Sequence, residues 1–63
     1  QSCVQLCWDT CLGRSYQLQY CTILNTNLWY NLGGLVAGSG SQYCTSDVIP
    51  QGQPQRFYRV VLP

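Results

Sequence analysis

Arg56-Phe57-Tyr58-Arg59-Val60-Val61-Leu62 is the densest run of β-forming residues in the 63-residue chain. In an extended backbone successive side chains leave by opposite faces, so Tyr58, Val60 and Leu62 share one face and Phe57, Arg59 and Val61 the other. Apolar residues on both faces place this strand inside a sheet, next to other strands. Two stretches can supply them. Val4 to Trp8 puts Val4, Leu6 and Trp8 on one side, and Ser15 to Cys21 alternates Tyr16, Leu18, Tyr20 inward with Gln17, Gln19 outward. The expected core is therefore Val4, Leu6, Trp8, Tyr16, Leu18, Tyr20, Tyr58, Val60 and Leu62.

Between these stretches the pattern is weaker. Leu28 to Leu32 predicts a short strand closed by Gly33-Gly34, in which either Trp29 or Tyr30 must point outward. Leu35 to Ala37 predicts a further extended piece before the break at Gly38-Ser39-Gly40. Ser41 to Ser46 predicts a strand with Tyr43 and Thr45 on one face and Gln42 and Cys44 on the other. Asp47 to Gln55 carries Pro50, Gly52 and Pro54, and predicts a loop or corner. No stretch repeats apolar residues at helical spacing, so the chain is expected to be all-β, one domain over residues 1–63.

Composition narrows the function classes. A chain this short buries only about 60% of the surface it exposes when unfolded, and needs a staple, a metal or a partner chain. Three Arg stand against two Asp, with no Lys, Glu or His. That balance gives no electrostatic footprint for nucleic acid or an anionic membrane, and little repulsion to keep copies apart. No apolar run reaches the ~20 residues of a membrane span, and no signal peptide precedes the domain, so an exported chain would be the mature part. Five cysteines fit an oxidising compartment, and the odd count leaves at least one thiol free or bonded to another molecule.

The order of the strands resembles a fibronectin type III or immunoglobulin-like β-sandwich. The residues that carry the likeness are Val4-x-Leu6-x-Trp8, Tyr16-x-Leu18-x-Tyr20 and Tyr58-x-Val60-x-Leu62, similar to strands B, C and F. Leu28 to Leu32 then resembles C′ and Ser41 to Ser46 resembles E. A closer likeness is to the small modules that end many large secreted bacterial proteins. Those carry a segment similar to Gly13-Arg14-Ser15-Tyr16-Gln17-Leu18-Gln19-Tyr20 and close on one similar to Pro54-Gln55-Arg56-Phe57-Tyr58-Arg59-Val60-Val61. The resemblance implies an extracellular, structural, non-catalytic module. It differs in its cysteines, which give no pattern to transfer, and in lacking the family's first and last strands, A and G.

In such a sandwich B and E are antiparallel neighbours, which puts Cys3, Cys7 and Cys44 on one outer surface. A bridge from Cys44 to Cys3 or Cys7 is then possible, with Cys21 outside the opposite sheet. Outward thiols without a bridge, and a bond to another molecule, remain open. Cys3, Cys7 and Cys11 are spaced four apart, but zinc sites prefer Cys-x2-Cys knuckles or paired His, so no metal is expected. The aromatic residues suit a sugar-stacking platform, yet alternation assigns most of them to the core. Tyr58 can serve as a tyrosine corner. With two loop carboxylates and no His, Lys or Glu, there is no general-base pair and no partner for a Cys nucleophile. No catalytic residue and no cofactor is expected. The glycine pairs precede no helix, and exposed Ser and Thr can carry O-linked sugar.

The expected function is structural: a secreted bacterial repeating subunit that self-assembles into a fibre or sheath. A sandwich without A and G exposes the edges of B and F, so the expected subunit interface is Gln1, Ser2, Cys3, Val4, Val61, Leu62 and Pro63. The alternative is a terminal adhesion or carbohydrate-binding module of a larger secreted protein. A small disulfide-rich inhibitor is disfavoured by the odd cysteine count and by the crowding of four cysteines into the first third.

Overall fold

The structure, a computed structural model, describes residues 2–24, 27–53 and 55–63. It is all-β, with six strands among the described residues: β1 (Ser2–Asp9), β2 (Ser15–Cys21), β3 (Tyr30–Asn31), β4 (Val36–Ala37), β5 (Gln42–Ile49) and β6 (Phe57–Val61). β1 and β5 form an antiparallel two-stranded sheet in which Cys7 stands opposite Cys44 and Cys3 opposite Val48. β2 is the centre of the second sheet. Gln19 pairs with Arg59 of β6 and with Asn31 of β3, so those two strands flank β2 on opposite edges. β4 continues the β3 side, pairing Val36 with Tyr16.

β3 and β4 are one strand interrupted at Gly33-Gly34. Leu32 to Leu35 stand opposite Gln17 and Leu18 alone, two residues too many for an even ladder. Gly33 takes the left-handed backbone conformation (φ 75°) that the bulge needs and that an L side chain resists. Gln17 fills the gap in the ladder. Its amide nitrogen donates to the carbonyl oxygens of Leu18 (2.9 Å) and Gly33 (3.2 Å). Gln17 is therefore buried and not outward as alternation predicts: the bulge covers it.

A second close approach fixes the turn from β1 to β2. The Gly38 N–H donates to the Arg14 carbonyl at 2.8 Å, and a Cβ at Gly38 would stand 1.9 Å from the Cys11 carbonyl oxygen. The Cys11 N–H donates to the Tyr16 hydroxyl at 2.8 Å. Nearby, the Thr10 hydroxyl donates to the Ser41 carbonyl (2.6 Å) and accepts from the Ser39 N–H (3.1 Å). These bonds pin the ends of both sheets together.

Several expectations are corrected here. β5 runs on through Asp47, Val48 and Ile49, where a corner was expected, because β1 continues opposite it as far as Ser2. The corner itself is a turn at Pro50 to Gln53, closed by the Gln53 N–H on the Pro50 carbonyl at 3.2 Å. The strand over Leu28 to Leu32 contracts to Tyr30–Asn31, and the final strand over Arg56 to Leu62 to Phe57–Val61. Cys21, expected outside its sheet, is 1% exposed, with the chain bending at Thr22 immediately after it.

The core is thinner than expected. Of the nine residues assigned to it, Tyr16 and Leu18 are buried, whereas Val4, Leu6, Trp8, Tyr20 and Tyr58 are half-buried. Val60 is 36% and Leu62 56% exposed, because nothing among the described residues covers that end of β6. The radius of gyration is 12.5 Å, against about 11 Å for a compact chain of this length. The accessible surface is 4451 Å², against about 4,100 Å² for a folded monomer of this mass. Both measures describe a domain that has not closed over its own apolar faces.

Candidate functional site

The inner faces of β1 and β6 border a cleft. Leu6, Cys7 and Trp8 line it from β1, Leu18 from β2, and Tyr58, Arg59 and Val60 from β6, around a volume of about 270 Å³. Trp8 stacks at a tilt on Tyr43, with ring centroids 5.1 Å apart. Its indole Nε1 is buried and has no hydrogen-bond acceptor among the described residues. An orphaned buried donor of this kind costs roughly 1–3 kcal/mol.

The strands beside the cleft are also incomplete. Among the described residues β1 pairs with β5 alone and β6 with β2 alone, so each keeps one edge with unused backbone groups. Register shows which groups those are. Cys7 and Cys44 have Cα atoms 4.2 Å apart, the short spacing of a pair that exchanges no backbone hydrogen bonds. The N–H groups of Cys3, Gln5, Cys7 and Asp9 therefore turn away from β5, toward the open edge.

The far end of the domain is held by a buried charge cluster. The Asp47 carboxylate accepts from the Arg56 guanidinium (2.9 Å) and from the Tyr58 hydroxyl (2.6 Å). Arg56 also donates to Gln53 and lies over the Tyr20 ring, 4.2 Å from its centroid. Burial, the hydrogen bond to Asp47 and the Asp47 charge together push the Tyr58 hydroxyl up to about 12, against a smaller opposing effect of Arg56. Tyr58 thus bonds a carboxylate and not the backbone bond of a tyrosine corner. Tyr16 is the tyrosine whose hydroxyl reaches backbone a few residues upstream, at Cys11.

On the outer face of the larger sheet, Arg59 Nε donates to Gln19 Oε1 (2.8 Å) and Gln19 Nε2 donates to Asn31 Oδ1 (2.9 Å). The Arg59 guanidinium lies 4.3 Å from the centroid of the Trp29 ring. Of the adjacent aromatic pair, Tyr30 is the exposed member and Trp29 the half-buried one. A larger, shallow depression of about 510 Å³ lies between Thr22-Ile23 and Pro50 to Gln53, with no charged group in its lining.

The structure joins Cys7 to Cys44 and leaves Cys3, Cys11 and Cys21 as thiols. Of the expected interface residues, Ser2, Cys3 and Val4 lie at the start of β1 and Val61 at the end of β6, followed by the exposed Leu62 and Pro63. Gln1 lies outside the described residues, as does Pro54. β1 and β6 line the cleft through Leu6 to Trp8 and Tyr58 to Val60, and not through those terminal residues. The alternation pattern did not single out Asp47, Gln17 or Thr10. For Asp47 the available signal was the β-branched Val48-Ile49 that follows it. Comparison with protein-family models, with curated proteins and with solved structures finds no match.

Proposed function

We propose that the chain is an extracellular structural protein: a secreted bacterial β-sandwich module of the fibronectin type III or immunoglobulin-like kind. It serves as the repeating subunit of a fibre or sheath assembled through its open β-edges. The antiparallel pairing of β1 with β5 is compatible with strands B and E of such a sandwich, and supports the reading to that extent. The Cys7–Cys44 bridge is compatible with an oxidising, extracellular setting. No helix among the described residues is long and apolar enough to cross a membrane. Exposed hydroxyls such as Ser2, Ser39 and Ser46 are available for O-linked glycan.

One observation carries the reading. Among the described residues β1 and β6 each have an unpaired edge, and together they border a largely apolar cleft lined by Leu6, Trp8, Leu18, Tyr58 and Val60. An edge strand of a second copy, laid along β1 or β6, supplies acceptors and donors to the open backbone groups and removes apolar surface from water. A contact between two different edges repeats from copy to copy and propagates unless its rotation closes a ring.

The experiment is Gln5→Pro. Gln5 is exposed and its N–H faces the open side of β1, so proline there removes an edge donor while sparing the ladder to β5. Wild-type protein at micromolar concentration should form filaments in negative-stain micrographs. The variant should sediment as a monomer that keeps its β-type circular dichroism and its Cys7–Cys44 bridge. Filaments that persist in the variant exclude the β1 edge, and a wild-type monomer removes the reading altogether.

A second reading is favoured by the ladder Asn31–Gln19–Arg59 with Trp29 beside it. A row of amides flanked by an aromatic ring is suited to sugar hydroxyls, as a terminal adhesion or carbohydrate-binding module of a larger secreted protein requires. A stable monomer that is retained on polysaccharide, and released by Gln19→Ala, would support it.

A further inference from the structure

We propose that Cys3 and Cys11 are the covalent couplings of the assembly, Cys3 of one subunit bonding Cys11 of the next. The proposal rests on the repeating-subunit reading and adds to it the chemistry of the joint.

Cys7 and Cys44 are joined to each other, and Cys21, at 1% exposed, has no access to a second molecule. Cys3 and Cys11 remain, and both thiols are exposed. They cannot bridge within one chain. Six residue steps of continuous β1 lead from Cys3 to Asp9, about 20 Å of extended backbone, and Cys11 follows two residues after the strand ends. A disulfide needs its Cα atoms within ~7 Å. The two thiols are thus presented at opposite ends of one strand, in a molecule whose longest dimension is 38 Å.

Neither thiol sits on loose chain. Cys3 is held in the ladder opposite Val48. Cys11 is fixed by its N–H on the Tyr16 hydroxyl (2.8 Å) and by its carbonyl, which accepts from the Arg14 N–H (3.3 Å). A chain that has formed Cys7–Cys44 has met an oxidant, and exposed thiols in such a compartment do not stay reduced. Two outward thiols at two ends give each subunit a valence of two. A valence of one ends in a dimer, whereas two unlike ends joined head to tail make a linear polymer.

The oxidant is a disulfide, either a small-molecule disulfide or the oxidised active site of a thiol–disulfide exchange enzyme. The Cys3 thiolate attacks one sulfur of the oxidant, forming a mixed disulfide and expelling the first thiolate. The Cys11 thiolate of the next subunit then attacks the Cys3 sulfur and expels the second. Two protein thiols lose two electrons to the oxidant's sulfur–sulfur bond, and their protons pass to the two released thiolates.

The test uses the whole chain, incubated with glutathione disulfide, alkylated and run on a denaturing gel without reductant. Wild type should give a ladder that collapses on reduction. Cys3→Ser and Cys11→Ser should each stay monomeric alone and give dimers, and nothing larger, when mixed. Peptide mass spectrometry of the ladder should find Cys3 joined to Cys11. Dimers formed by either variant alone would show like-to-like bonding and overturn the proposal. Filaments that fall apart to monomers in denaturant without reductant would overturn it too, while leaving the repeating-subunit reading in place. A wild-type chain that is monomeric both in native sedimentation and on the gel would overturn both.

Discussion

Removing the Cys7–Cys44 bridge is the perturbation to which this domain should be most sensitive. The two cysteines are 37 residues apart, and freeing a loop of that length restores about 4 kcal/mol of chain entropy to the unfolded state. A domain of this size rarely has more than ~3–5 kcal/mol of stability to lose. The bridge also joins the third pair from one end of the ladder between β1 and β5, strands that have no other described partner. A two-stranded ribbon is marginal by itself. Native strain and residual structure in the unfolded chain reduce the entropic figure, so an effect of ~2–4 kcal/mol is expected.

The assay compares Cys7→Ser/Cys44→Ser with its parent, both carrying Cys3→Ser and Cys11→Ser so that intermolecular bonding plays no part. Urea unfolding followed by tryptophan fluorescence reports Trp8, the neighbour of Cys7 in β1. The melting temperature should fall by roughly 15–30 °C, given the small unfolding entropy of a chain this short. A loss below ~1 kcal/mol would refute the reasoning. It would mean that β1 and β5 are held by something other than their cross-link.

Two further predictions concern single residues. Gly38→Ala forces a methyl to within 1.9 Å of the Cys11 carbonyl oxygen; the turn from β1 to β2 must shift, at a cost of roughly 2 kcal/mol or more in a denaturant titration, while Gly34→Ala, with nothing within 4 Å of its added methyl, should cost under ~1 kcal/mol. In a spectrophotometric titration, one of the five tyrosines should ionise near 12, and Asp47→Asn should bring it down by removing the carboxylate that favours the protonated phenol. Because the folded state holds that proton more tightly than the unfolded one, the associated stability is fully present below about pH 10 and is lost as pH rises from 10 toward 12; a stability that is flat across that window would contradict the assignment.

How much of this was legible in the sequence depends on the range of the interaction. Strands β1, β2 and β6 follow from alternation, which is local, and Tyr16 and Leu18 follow with them. Alternation also put Cys7 and Cys44 on outward positions. It could not choose between Cys3 and Cys7, because that choice is a matter of register between strands far apart in sequence. Asp47 was misplaced because a charge followed three residues later by Pro50 looks like the start of a corner. Its partners, Arg56 and Tyr58, become visible once the chain has folded back. Gln17 failed for a similar reason. Nothing in a strand pattern announces that the neighbouring strand will carry two surplus residues and cover one of its outward positions.

The placement of the charges bears on assembly more directly than their number. Soluble β-proteins guard open edges with charged side chains that make pairing with a second copy costly. Three charged residues lie in the strands here: Asp9, Asp47 and Arg59. Asp47 is turned into the domain by Arg56 and Tyr58. Arg59, the one charge in β6, bonds Gln19 of β2 and lies over Trp29, so it is drawn across the sheet and away from the open edge. Asp9 sits at the last position of β1, leaving Ser2 to Trp8 without a charge. An edge stripped of charge has little to oppose a second strand, which is the condition the proposed assembly requires of it.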